Sequence, residues 1–277
     1  MNPYVSKHVT ANHSFTSGIE GPACDRDGNL YAVNYGREGT IGIVYPDGSS
    51  DLWIELPSGS IGNGIRFSKE GDMFIADYVK HCIYKVASGT KQLSLFAHEP
   101  KMNQPNDIAI TSDGTLFASD PNWGEGTGNI WRIDQDGSVQ LLASGLGTTN
   151  GIEVDPEERR LYVNESLQRK IWVYDLDSNW DISNKRLLIA FDDYSLDGMR
   201  CDSEGDLYVT RHGKGVVAKL SPTGQLLTEI AIEGKNCTNI CFGGIDGKSA
   251  YVTVADEGNI QSFRIENTGR CWEMWKE

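Results

Sequence analysis

The chain has 277 residues, and its 25 Lys and Arg against 39 Asp and Glu give a formal net charge of −14. That balance argues against a nucleic-acid partner, which needs a basic surface to neutralise phosphates, and equally against an anionic membrane surface. No segment reaches the roughly 20 apolar residues that span a bilayer, and the 31 glycines follow no collagen-like period.

The first residues, Met1 to Lys7, lack the apolar stretch of a secretory signal, which predicts a cytoplasmic protein with its six cysteines reduced. The run Tyr4–Thr10 reads as a strand with no partner nearby. From Glu20 a phrase begins that recurs six times: a polar residue, an apolar run, a turn, and a second apolar run ending near Asp or Asn. The copies are EGPACDRDGNLYAVNY, NGIRFSKEGDMFIADY, NDIAITSDGTLFASDP, NGIEVDPEERRLYVNES, DGMRCDSEGDLYVTRH and TNICFGGIDGKSAYVTVA. They start at Glu20, Asn63, Asn106, Asn150, Asp197 and Thr238, in steps of 43, 43, 44, 47 and 41 residues. Asp27-Gly28, Glu70-Gly71, Asp113-Gly114 and Glu204-Gly205 divide paired β-rich runs as hairpin turns do. A third run follows (Ile83–Val86, Ile130–Ile133, Ile171–Tyr174), then a fourth (Leu93–Phe96, Val139–Leu142, Leu187–Ala190). No sustained 3.6-residue period is present, so helix is scarce.

A period in the forties with four strands per copy predicts an all-β fold, a six-bladed β-propeller of four antiparallel strands per blade. It forms a single domain over residues 1–277, with blades starting near 20, 63, 106, 150, 197 and 238. The sixth copy lacks an outer strand, and residues 4–10 are expected to supply it, closing the ring and removing an open edge. The tail Thr268–Glu277 reads poorly as strand; Trp272 and Trp275 in it call for packing on blade six or a dimer contact, hence a monomer or weak homodimer.

Inner strands of a propeller converge on one axis. Aligning the copies on Cys24, Phe67, Ile110, Val154, Cys201 and Phe242 puts the six starting residues four positions earlier in one ring. Two carboxylates, three carboxamides and a hydroxyl crowded there need partners, and the carboxylates repel. A divalent cation answers both demands. Oxygen-only donors suit Ca²⁺ first, with Mg²⁺ and Mn²⁺ also admissible and Zn²⁺ or Fe²⁺ left open. Other chemistries find little support. The histidines are scattered, with only His212 placed near a channel mouth, and no Ser sits in a G-x-S-x-G elbow. Cys237 and Cys241 lack a second Cys/His pair and read as small apolar fillers. The stretch Gly124–Gly128 precedes no helix, so it reads as a loop over the channel, with Trp123 beside it lining the pocket and Trp131 and Trp172 between blades.

These segments carry a resemblance. IEGPACDRDGNLYAVN, QPNDIAITSDGTLFASDP (104–121), TNGIEVD (149–155), LDGMRCDSEGDLYV (196–209) and NICFGG (239–244) are similar, in order, to signatures of the senescence marker protein, gluconolactonase and luciferin-regenerating enzyme family. The resemblance covers roughly residues 14–265. It implies a metal ligated by Glu20, Asn150 and Asp197, with Asn106 as a further ligand or substrate contact, and hydrolysis of a sugar lactone or, in some members, an organophosphate. Asp197 is the expected base, or the nucleophile in the phosphotriesterase-like variant, with Glu20 as its catalytic partner. Asn63 and Asp120 are expected on the pocket wall. Two departures fall where substrate is read: Gln104 stands where animal members carry Arg, and Asp120-Pro121-Asn122-Trp123-Gly124 replaces the bacterial D-P-P-Y-G. The lactone is a small-molecule partner whose identity stays open. An ester or organophosphate substrate, or a non-catalytic metal-binding scaffold, remain as alternatives.

Overall fold

The turn dipeptides act as their chemistry requires. Gly28 and Gly205 take φ of 83° and 85°, the left-handed region that only glycine enters freely. The fourth copy has no glycine there, and Glu158 takes φ 55° instead. Its carboxylate accepts from the Ser112 N–H at 2.6 Å and from Arg270 Nη2 at 2.6 Å, contacts that hold the unfavourable backbone in place.

The structure, a computed structural model, describes residues 3–276; residues 1, 2 and 277, which the single-domain expectation includes, lie outside them. The described residues form six four-stranded antiparallel sheets. The inner strands are Phe15–Cys24, Gly62–Phe67, Ile108–Ile110, Thr149–Val154, Met199–Cys201 and Cys237–Gly243. Five blades take their strands consecutively from the chain. The sixth joins Cys237–Gly243, Ser249–Val254 and Asn259–Arg264 to Lys7–His8, with Lys7 opposite Ser262 and His8 opposite Gln261. Backbone bonds from Tyr4 N to Arg264 O (3.0 Å) and from Val9 N to Ile260 O (2.9 Å) extend this seam, so residues 4–10 close the ring as expected.

Apolar faces pack between neighbouring blades; Trp131 is buried in one such layer and Trp172 borders the next. Near the axis the strands come very close. A Cβ at Gly151 would sit 2.4 Å from the Asp197 carbonyl oxygen, and one at Gly198 would sit 2.0 Å from the Asn239 side chain. Both glycines directly follow a ring residue, so their small size lets the ring contract.

The tail packs on blade six as expected, with Cys271 Sγ donating to Phe242 O at 3.5 Å, but it reaches further. Arg270–Met274 form a helix, α1, that lies across the base of the ring. Arg270 donates to Ile110 O (2.9 Å) and Asp155 O (3.1 Å), and Trp275 Nε1 donates to Ser68 O (3.3 Å). The tail thus reaches blades two, three and four as well as blade six. One turn of helix is unstable alone, so these contacts create it. Trp272 and Trp275 meet edge to face at 6.0 Å between centroids. Among the described residues no helix is long and apolar enough to cross a membrane.

Candidate active site

All six inner strands begin at one end of the channel, so Glu20, Asn63, Asn106, Asn150, Asp197 and Thr238 line one cavity of about 560 Å³. Side chains of neighbouring blades fix their positions. Glu20 Oε2 accepts from Asn239 Nδ2 at 2.9 Å and from its neighbour Gly21 N at 2.5 Å. The Asp197 carbonyl accepts from Asn164 Nδ2 at 2.5 Å, and Asn63 Nδ2 donates to Asn106 O at 3.2 Å. Thr238 Oγ1 donates to Ile19 O at 2.8 Å and lies 2.7 Å from Thr253 Oγ1, so this member of the ring is occupied by structure.

The two acids are under electrostatic strain. Burial, then the charge of Asp107, raises the Glu20 carboxyl to about 7 against the hydrogen bonds of Gly21 and Asn239. Asp197 is pushed well above the ordinary carboxylate range, first by burial and next by Glu20. Two buried carboxyl groups so placed disfavour each other's ionisation, and a nearby positive charge would relieve both. The carboxamides give the same indication: Asn106 Oδ1 and Asn150 Oδ1 are buried with no hydrogen-bond partner. Buried oxygens are rarely left unpaired. No group of three His, Cys, Asp or Glu side chains suited to a metal gathers among the described residues. The donors are two carboxylates and carboxamide oxygens, which fit a hard divalent cation.

Gln104, Trp123 and Asn63 line the cavity with the acids. His212 borders it too, and burial holds its imidazole below the usual pKa. Asp120, expected on the pocket wall, is absent from the lining. It is fully buried, and Oδ1 accepts from the backbone N–H groups of Asn103 (2.7 Å) and Gln104 (2.6 Å). Oδ2 accepts from Asn129 Nδ2 (3.0 Å) and Trp131 Nε1 (2.8 Å). With its oxygens so engaged, Asp120 anchors the Gln104 loop.

Beneath the acids lies a charge network absent from the sequence expectations. Asp107, wholly buried, pairs with Arg200 Nη1 at 2.9 Å and Arg66 Nη1 at 3.3 Å. Burial acts to raise its pKa, but the two guanidinium groups prevail and hold it below the usual range. Arg200 also approaches Glu153, at 3.9 Å, and Arg270 approaches Glu153 at 3.8 Å. The repeat alignment does carry a signal: three positions after the ring residue stand Arg66, Glu153 and Arg200.

A gluconolactonase of Zymomonas mobilis is 28% identical, covering 90% of this chain and 79% of the relative. A pentonolactonase of Haloferax volcanii is 24% identical, covering 79% of this chain and 82% of the relative. Among solved structures, a calcium-binding protein, regucalcin, from Agrobacterium tumefaciens shares the fold with a TM-score of 0.83, at 20% identity and 96% coverage of each chain. The model of the SMP-30/Gluconolactonase/LRE-like region matches residues 20–256, and the chain belongs to that family.

Proposed function

We propose that this chain is a lactonase that opens the ring of a sugar lactone, using a divalent cation held by Glu20, Asn150 and Asp197. The observation that carries this reading is the meeting of two buried carboxyl groups, each with a raised pKa, and two unpartnered carboxamide oxygens in one cavity. The relatives named gluconolactonase and pentonolactonase support the substrate class. When bound, such a cation supplies positive charge that polarises a carbonyl and acidifies water. Ca²⁺ suits the irregular oxygen set best, with Mg²⁺ and Mn²⁺ next.

The chain's own groups do the rest. Asp197 accepts a proton from water as the water oxygen adds to the lactone carbonyl carbon. It returns that proton to the ring oxygen as the acyl–oxygen bond breaks, leaving a hydroxy acid. Glu20, fixed by Asn239 and Gly21, keeps negative charge beside it. Asn106 completes the donor set with its free oxygen, and Asn63 and Gln104 border the sugar hydroxyls.

A pH-indicator assay on a panel of aldonolactones tests this reading, with protein stripped by EDTA and then given single metals. Turnover should vanish on stripping and return with one or more divalent cations. A folded protein that binds the cation yet turns over no lactone would sink it.

A further inference from the structure

The mouth of the cavity has two unlike halves. On the side of blades five, six and one it is polar, with Ser195, His212, Ser17 and Glu38. On the side of blades two, three and four it presents the large side chains of Tyr78, Trp123 and Leu167 beside Gln104 and Ser166. Trp123 is 41% exposed and Leu167 52%. Single apolar side chains on a surface are ordinary, but two aromatic rings and a Leu along one rim of a polar-floored cavity offer a ligand apolar area.

The loops that carry Trp123 and Leu167 are held in place. Gln168, the neighbour of Leu167, donates from Nε2 to Gly126 O at 3.1 Å and accepts from Thr148 N at 2.8 Å. This ties the loop of blade four to the Trp123 loop of blade three. Asn122 Oδ1 accepts from Glu125 N at 3.2 Å and closes the Trp123 loop on itself. A patch fixed before binding loses little conformational freedom on contact.

Charge narrows the ligand further. No Lys or Arg among the described residues lines this cavity. With Glu20 and Asp197 committed to a cation, Glu38 leaves the mouth negative, and His212 is biased to its neutral form. A phosphate or sulfonate on the substrate would meet a like charge and no Lys or Arg in the lining.

We infer that the lactone taken by this site is uncharged and carries an apolar alkyl or aryl substituent outside its ring, which lies on Tyr78, Trp123 and Leu167. The inference rests on the lactonase reading and adds to it the chemistry of the group beyond the ring. The test compares kcat/KM for gluconolactone, its 6-phosphate and its 6-O-benzyl ether on the cation-loaded full chain. The benzyl ether should exceed gluconolactone by about tenfold through burial on Tyr78, Trp123 and Leu167. The 6-phosphate should fall about tenfold or more below gluconolactone through repulsion. Trp123→Ala, at an exposed position, should erase the benzyl advantage, with Leu167→Ser as a second variant acting in the same direction. Glu38→Lys should raise the ratio of 6-phosphate to gluconolactone about tenfold. Turnover of gluconolactone without discrimination among the three would overturn the inference and leave the lactonase reading standing. No turnover of any of them with any cation would overturn both.

Discussion

The two ends of the channel bury similar chemistry to opposite effect. At the base, Arg66 and Arg200 flank Asp107, and Arg270 of α1 meets Glu158 at 2.6 Å with Glu153 nearby. At the floor of the open cavity, Glu20 and Asp197 face each other and Asn106 and Asn150 keep unpaired oxygens. Buried charges with partners are structural, and removing one partner is severe because the other is stranded. Buried charges without partners are tolerated where a ligand supplies the missing sign. The difference lies in the pairing, since Arg66, Glu153 and Arg200 each follow a ring residue by three positions on the inner strands and burial is shared.

The sharpest break of this comparison is Asp197→Asn. It should lower kcat by about 10²- to 10⁴-fold, the range for losing a general base. The cation-free fold should keep or raise its melting temperature, because a repulsion is removed. Near-normal kcat would show that another group takes the proton. Arg200→Met probes the base and should do the reverse, with urea unfolding showing a loss of about 3–5 kcal/mol from a stranded Asp107. A variant as stable as the parent would mean that Arg66 alone satisfies that carboxylate. Arg270→Ala should cost roughly 2–3 kcal/mol through charged hydrogen bonds to Glu158 and two carbonyls. It should leave kcat nearly unchanged, and a large fall in kcat would show that the two ends are coupled.

The smallest effect is a pH dependence. The folded Glu20 carboxyl titrates at about 7 against an ordinary 4.5, so between these values the folded chain holds a proton that the unfolded chain has released. Stability of the cation-free protein should therefore fall as pH rises through that window, the direction opposite to that of a salt-bridged acid. Glu20→Gln should flatten this part of the profile, and adding Ca²⁺ should raise the melting temperature most at the upper end, where proton competition ends. A profile identical in parent and variant would show that Glu20 is ionised throughout.

Much of this architecture could be read from the sequence because it repeats. The Asp-Gly and Glu-Gly turns marked four hairpins, and one alignment brought Glu20, Asn150 and Asp197 to one level without any coordinate. The closing strand followed from a missing partner in blade six. The base was harder to read. Arg200 and Asp107 are 93 residues apart, and Arg270 and Ile110 are 160 apart, so nothing local links them. The helix has five residues, too few to show a period, and exists because Arg270 has carbonyls to meet. Asp120 was misplaced because a carboxylate near a pocket motif looks the same in sequence whether it faces substrate or holds a loop.

The helix across the base also sets the direction of traffic. A ring plugged at one end is a vessel with a single neck, so whatever enters past Trp123 and Glu38 must leave the same way. Under the lactonase reading a neutral molecule goes in and an anion comes out. Glu38 at the neck disfavours an anion inside the vessel, so under that reading the product would be held less tightly than the lactone that formed it.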